Sequence, residues 1–327
     1  MNEEFFSRKE SVKDIFFMIE GKLKKGLFKE SMEDFDRIMA MDFEYADLYE
    51  NISCVKFWIN RLDILNKKLK ENWAEYCKFL DSSYKKFCIF IRDKDYKGDL
   101  ISIKAIHYFV YNRIIELIMN KSPEDINGKD ELHLLANAFI ELEDYSKGLK
   151  AYEYLNTIEP YNSNTLGFIA EINHKLGDEK KAKMYIREAL FYEPQNIEFE
   201  KITIEAVREI RDIIIKRGIH NGSQEEIISW MSAYGELMNI LDIKKELSRE
   251  EEIELRKNIS RLEADYRKFK LRDKTAPKLL SSYAFLTACL IMRHNSSDRE
   301  EIEILARKMA AIDEDLLRYY INKLEKR

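Results

Sequence analysis

Two Glu-Pro pairs, Glu159-Pro160 and Glu193-Pro194, stand 34 residues apart, and the chain leading up to each repeats at the same spacing. Leu132 returns as Leu166, Ala136 as Ala170, Leu142 as Leu176, Asp144 as Asp178 and Lys147 as Lys181. Conservative pairs fill the intervals: Leu135 with Ile169, Gly148 with Ala182, Tyr152 with Ile186. A fixed period of roughly 20–50 residues means a stack of like units, each too small to bury its own apolar face. Within each copy the apolar residues step by three and four, the spacing of one helical face. Small residues at Ala136, Gly148, Ala170 and Ala182 let two helices approach closely. Pro160 and Pro194 lack the N–H that a continuing helix needs, so each ends its unit. Each copy thus reads as a helix, a turn and a second helix.

This pattern resembles the tetratricopeptide repeat (TPR) family. The first copy, about 129–160, carries Leu132, Leu135, Ala136 and Phe139 on its first helix. The turn Glu143-Asp144-Tyr145 follows, then Gly148, Tyr152, Leu155 and Ile158. The second copy, about 163–194, carries Leu166, Ile169 and Ala170, the turn Leu176-Gly177-Asp178, then Ala182, Ile186, Ala189, Leu190 and Tyr192. It departs from the family where Asn173 replaces an aromatic, and both copies depart where Leu132 and Leu166 replace a larger aromatic. The resemblance implies an all-α fold, an α-solenoid of TPR-like helix pairs (an α-α superhelix), with roughly 15 helices at about 34 residues per pair.

Three regions follow. Residues 1–120 are expected to hold degenerate TPR-like helices, residues 121–222 the TPR core with its two repeats and a following helix, and residues 223–327 a C-terminal helical region. Near the N-terminus, Ile15, Met18 and Ile19 precede the turn Gly26-Leu27-Phe28, and Ser31, Phe35, Ile38 and Met39 follow. Phe43 stands where proline is expected, and a second pair is expected from about Ala46 to Leu69. From Trp73 to Ile91, Tyr76, Cys77, Leu80, Tyr84 and Phe87 share one helical face, which predicts a buried stripe rather than a base-stacking platform. A second long helix is expected from about Ile101 to Asn120. Ser122-Pro123 reads as a helix start and Asn221-Gly222 as a turn. Ser223 with Glu226, Ser248 with Glu251 and Ser297 with Glu300 fit the S-x-x-E capping box. Leu255, Ile259, Leu262, Tyr266 and Phe269 form a short coiled-coil-like seam, expected to pack inside the same fold. The stretch from Trp230 to Leu262 resembles the ends of multi-repeat proteins of spirochaete bacteria.

Composition agrees with many two-faced helices. Of 327 residues, only 10 are Gly and 4 are Pro, too few to punctuate a strand-rich fold. Lys and Arg number 55 against 60 Asp and Glu, a net charge of −5 that leaves no surplus of cations for phosphate neutralisation, so nucleic acid is not an expected partner. No apolar run reaches the roughly 18 residues of a membrane span, so insertion is not expected. The start, with Glu3 and Glu4, lacks a leader pattern; the chain as written is expected to stay cytoplasmic, with a periplasmic face open to a chain trimmed of its leader. Cys54, Cys77, Cys88 and Cys289 lie in apolar stretches without C-x-x-C spacing and read as buried, reduced thiols. The histidines His107, His133, His174, His220 and His294 are scattered, and phosphate-loop, dinucleotide and nucleophile-elbow motifs are absent. The expectation is a chain that catalyses nothing and holds no cofactor.

What the resemblance implies instead is binding of another protein or peptide, as a scaffold or adaptor, with homo- or hetero-oligomers both open. Stacked repeats form a concave groove lined by the first helix of each unit, here His133, Asn137, Ile140 and Glu141, then Asn164, Glu171, His174 and Lys175. The family's carboxylate clamp is not reproduced. Asn137 holds one clamp position, but His133 stands for a lysine, Phe168 for an asparagine, and Glu198 and Ile202 for the next basic pair. The competing readings are a permanent structural subunit of a large bacterial assembly (envelope or flagellar motor) and an RNA-binding helical repeat.

Overall fold

A computed structural model of the chain describes residues 11–121, 128–218, 223–241, 247–293 and 295–324. Among them every regular element is helical. Six helices come first: α1 (Val12–Lys24), α2 (Phe28–Met41), α3 (Leu48–Ile59), α4 (Leu62–Glu71), α5 (Trp73–Asp93) and α6 (Ile101–Met119). The repeat region holds α7 (Lys129–Glu141), α8 (Tyr145–Ile158), α9 (Ser163–Lys175) and α10 (Glu179–Tyr192). Then come α11 (Glu205–Arg217), α12 (Gln224–Leu237), α13 (Arg249–Tyr266), α14 (Arg272–Met292), α15 (Arg299–Ala310) and α16 (Glu314–Leu324). The Ser122-Pro123 start, the Asn221-Gly222 turn, Glu3, Glu4, His220 and His294 lie outside the described residues.

The two sequence repeats become helix pairs of equal dimensions. Each has a first helix of 13 residues and a second of 14, joined by three residues. The N-terminal pair α1–α2 has the same 13 and 14 residues and the same three-residue turn. All three turns close alike. The residue two beyond the first helix is left-handed, at Gly26 (φ 76°), Glu143 (φ 60°) and Gly177 (φ 82°). The next N–H reaches back over the last turn: Leu27 to the Lys22 carbonyl at 3.0 Å, Asp144 to Phe139 at 2.9 Å, Asp178 to Asn173 at 2.8 Å. These six-residue closures satisfy carbonyls that a helix end otherwise leaves unpaired. In the two repeats the aspartate also starts the second helix. Asp144 and Asp178 accept the N–H of Lys147 and Lys181 at 3.2 and 3.1 Å, and those lysines bring their ammonium groups back to the same carboxylates.

The chain divides into two compact units between Ala151 and Tyr152, within α8. The core of the first gathers α1–α6 with Leu135, Ala138 and Phe139 of α7. Its centre is aromatic. Trp58 is fully buried, stacks on Phe28 at 5.9 Å and meets Phe87 edge-on at 5.8 Å. The α5 stripe is buried at Tyr76, Cys77, Leu80, Tyr84 and Phe87, with Trp73 and Ile91 half-buried beside it. Phe109 sits so close to Gly26 that a Cβ there would lie 2.4 Å from its ring.

The second unit is built around α12 and α14. α14 is long and apolar enough to cross a membrane by length and composition, but 72% of that stretch is buried inside the protein, the position of a core helix. From the expected seam, Ile259 and Leu262 are buried and Leu255 and Tyr266 pack beside them. Phe269 departs from it: it lies past the end of α13 in a 3-10 turn and is 92% exposed. Ser248 and Glu251 form the complete capping box, and Ser223 accepts the Glu226 N–H at 3.2 Å. Ser297 does not cap α15, because a 3-10 turn over Ser296–Asp298 moves the helix start to Arg299 with Asp298 before it. Of the cysteines, Cys54, Cys77 and Cys289 are buried and Cys88 is exposed, at the edge of the α5 stripe one turn from Tyr84. Pro194, unlike the exposed Pro160, is buried and opens a 3-10 turn, Pro194–Asn196.

Candidate functional site

A third unit in phase with the first two would begin its first helix at Ile197. Instead 197–204 contains only a 3-10 turn, Phe199–Lys201, between extended residues, and α11 starts at Glu205. Four of these eight residues, Ile197, Ile202, Thr203 and Ile204, are β-branched, which disfavours a helix without preventing an extended path. The segment lies along α9 and draws on the side chains expected to line a groove.

α9 begins at Asn162, whose side-chain oxygen accepts the N–H groups of Asn164 and Thr165 at 3.0 and 3.1 Å. One face then presents Asn164, Gly167, Phe168, Glu171 and Lys175 at helical spacing. Asn164 grips Glu198 at two points: its Nδ2 donates to Glu198 Oε1 at 3.0 Å, and its Oδ1 accepts the Glu198 backbone N–H at 3.1 Å. Glu171 is 5% exposed. One of its oxygens accepts the Thr203 backbone N–H at 2.7 Å, the other the Thr203 hydroxyl at 2.5 Å. Lys175 Nζ donates to Thr203 Oγ1 at 2.9 Å and lies 3.4 Å from Glu171 Oε1, so the buried carboxylate is neutralised where it sits. Between the two polar grips, Gly167 leaves room for Ile197 and Ile202, whose methyl carbons lie 3.4 and 3.8 Å from the place a Cβ would take. Phe168, stacked on Tyr152 at 5.0 Å, receives Lys201 over its ring at 5.6 Å.

The structure thus brings Asn164, Glu171 and Lys175 together on one face and engages all three with the chain itself. His174 lies elsewhere, its Nδ1 2.6 Å from Glu179 Oε1 across the turn to α10. His133, Asn137 and Glu141 lie on α7 in the first unit, each half-buried. Glu141 Oε2 is 3.4 Å from His107 Nε2, and the rings of Tyr84 and Tyr111 flank that histidine at 5.5 and 5.0 Å. Burial pushes both phenols far up, and it also raises the thiol of the adjacent Cys88, the wrong direction for a nucleophile.

Chemically, the α9 face holds an irregular segment, a 3-10 turn between extended residues, through two N–H groups five residues apart, one carboxylate, one hydroxyl and two β-branched side chains. Of the residues from the following segment, Glu198 and Ile202 were legible only as missing clamp cations. Thr203 and Lys201 went unread, although the dense β-branching after Pro194 marks where the helical pattern breaks.

A second concavity, of about 810 Å³, lies in the same unit between the start of α12 and the start of α14. Trp230 and Tyr266 line it with Arg272, whose guanidinium stands 5.0 Å from the Tyr266 ring centre. Lys278 lines it too, its ammonium donating to the Tyr192 carbonyl; burial pulls this lysine below its ordinary value. With Lys274 there are three lining cations, matched in number by Glu225, Glu226 and Asp273. No protein-family model, no curated protein and no solved structure matches the chain.

Proposed function

We propose that this protein is a non-catalytic interaction scaffold of the tetratricopeptide type, binding another protein through the first helices of its pairs. One observation carries the reading. Three helix pairs share a 13-residue first helix, a three-residue left-handed turn and a 14-residue second helix. Equal units with equal closures are what stacking requires, and stacked helix pairs present a continuous face to partners. The engagement of the irregular segment 197–204 by α9 supports the same reading, since it uses side-chain-to-backbone bonds of the kind that hold peptides.

The test is capture from the native organism followed by reconstitution with the purified partner. Asn137→Ala on α7 and His174→Ala on α9 are then assayed singly. A partner whose affinity drops with either change supports the reading. Full affinity in both moves the site off these helices. A second reading, a permanent subunit of a larger assembly, is favoured by aromatic side chains left to solvent: Phe17 at 77%, Phe43 at 62% and Phe269 at 92% exposure. Light scattering separates the two, because a permanent subunit without its neighbours self-associates with concentration, whereas an adaptor stays monomeric.

A further inference from the structure

Packing holds the segment 197–204 through Ile197, Ile202 and Ile204, buried in the core of the second unit, and polar contacts to α9 are added to that packing. An irregular connection needs its own N–H groups satisfied, and water or local turns do that. Here the N–H groups of Glu198 and Thr203 are both taken by α9 side chains, Asn164 and Glu171. Each grip is two-point, joining backbone and side chain of the same residue. The spacing is selective. An acidic residue meets the Asn164 amide, an isoleucine four positions on lies over Gly167, and a hydroxyl immediately after it meets Glu171 and Lys175. Glu171 is a buried carboxylate, 5% exposed, whose oxygens both accept from one threonine.

We infer that residues 197–204 are an intramolecular occupant of a peptide-recognition face on α9, and that the partner segment taking their place is a peptide with an acidic residue, a single 3-10 turn like that of Phe199–Lys201, a β-branched apolar residue four positions on from the acidic one and Ser or Thr next. The inference rests on the protein-interaction reading and narrows it to one face and one ligand chemistry. A tethered segment faces its site at an effective concentration of the order of millimolar, so a free peptide competes poorly until the tether loosens. The face is therefore closed at rest and opens when the Glu198 and Thr203 grips are broken and Ile197, Ile202 and Ile204 leave the core with them. Its apparent affinity scales with the fraction of molecules in which the segment has left.

The experiment uses the full chain and one probe, a fluorescein-labelled synthetic peptide with the sequence of residues 195–205. Wild type is compared with Glu198→Ala/Thr203→Ala, which loosens the segment and leaves α9 untouched. Hydrogen exchange across α9 and α10 reports whether the pair stays folded, and exchange at residues 198 and 203 reports release. The expected result is binding at least about tenfold tighter to the variant than to wild type, since the tether no longer competes. Adding Glu171→Ala, or placing the same two alanines in the peptide, abolishes it. A variant whose 198 and 203 amides exchange freely, with α9 and α10 still protected, but which binds no peptide overturns the inference. So does equal binding to both proteins, which places the peptide elsewhere. If the double variant loses α9 protection, Thr203→Ala alone removes only the hydroxyl's bonds and is read by the same outcomes. Failure here leaves the scaffold reading to its own test, because a captured partner that binds with its affinity sensitive to Asn137→Ala on α7 still supports it.

Discussion

Glu143 holds the backbone conformation that Gly177 holds 34 residues later, both left-handed at the turn between the two helices of a pair, at φ 60° and 82°. Gly26 holds it a third time, at φ 76°. A residue with a Cβ gives up roughly 1–2 kcal/mol to stay in this region, and glycine does not. Glu143→Gly is therefore expected to stabilise the protein, by less than that amount, because glycine also loosens the unfolded chain by about 0.4–1 kcal/mol. The reverse change at Gly177 costs only the backbone strain, since nothing lies within 4 Å of a Cβ there. At Gly26 a Cβ meets the Phe109 ring at 2.4 Å, so Gly26→Ala adds a core clash to the strain. Thermal melts should rank Glu143→Gly above wild type, then Gly177→Ala, then Gly26→Ala. A Gly26→Ala protein as stable as Gly177→Ala contradicts this account.

Ala182 is fully buried on the second helix of its pair, where Gly148 stands, also buried, in the previous pair. Leucine there adds three carbons to a filled space, and overpacking costs typically about 1–3 kcal/mol. Ala182→Leu should lower the unfolding free energy by that amount, read as a lower denaturant midpoint with an unchanged slope. Wild-type stability would mean that the small residues of the repeat are not close-packing positions.

The repeat was legible because its constraints are local. Apolar spacing, Ala136, Ala170, Gly148 and Ala182, and the recurring Asp-x-x-Lys of Asp144 and Asp178 all act within a dozen residues, and the helix pairs appear where those patterns place them. What was not legible depends on contacts far along the chain. Glu171 looked like a surface carboxylate on a helix face, yet it is buried by Thr203, 32 residues on. Asn164 reads as an ordinary polar residue until Glu198 lies against it. Cys88 and Phe269 were assigned to buried faces by periodicity alone. Periodicity does not see that Cys88 is left uncovered at the edge of its stripe, or that Phe269 has already left the helix.

Two of the α9 side chains offer a direct contrast. Glu171 is buried and bonded to the Thr203 N–H and hydroxyl, while His174 is half-buried and paired only across a turn with Glu179. Hydrogen bonds to a charged group contribute about 1.5–3 kcal/mol when removed. Glu171→Ala should therefore cost roughly that, and it also leaves Lys175 without its carboxylate. His174→Ala should stay within about 0.5 kcal/mol of wild type, as substitutions away from buried networks do. Urea midpoints of the two proteins decide it, and equal midpoints would show that the α9 contacts hold nothing in place.

Acid should weaken the second unit through Glu252. This carboxylate accepts Arg293 and, at 2.7 and 2.8 Å, two nitrogens of Arg256, which in turn reaches Glu301 from another helix. The hydrogen bond from Arg293 holds the Glu252 carboxyl below its ordinary 4.5, against the opposing effect of burial and with help from Arg256. Glu263 is lowered too: burial pushes it up, but bonds from Lys308 at 2.6 Å and Tyr283 at 2.7 Å outweigh that. A carboxylate with a depressed folded value contributes stability that is fully present above its unfolded value. That contribution is lost as pH falls through the folded one, because the unfolded chain takes up the proton first. The urea midpoint is therefore expected to be insensitive to these two groups above about pH 5 and to fall below about pH 4.5. Glu252→Gln removes the charge that titrates. It should lower the midpoint at pH 7 and flatten its decline between about pH 4.5 and 3, so that the variant and wild type converge in acid. Parallel curves would mean that Glu252 keeps its ordinary affinity for the proton, and coincident curves that the arginine pair on it is a surface contact without energetic weight.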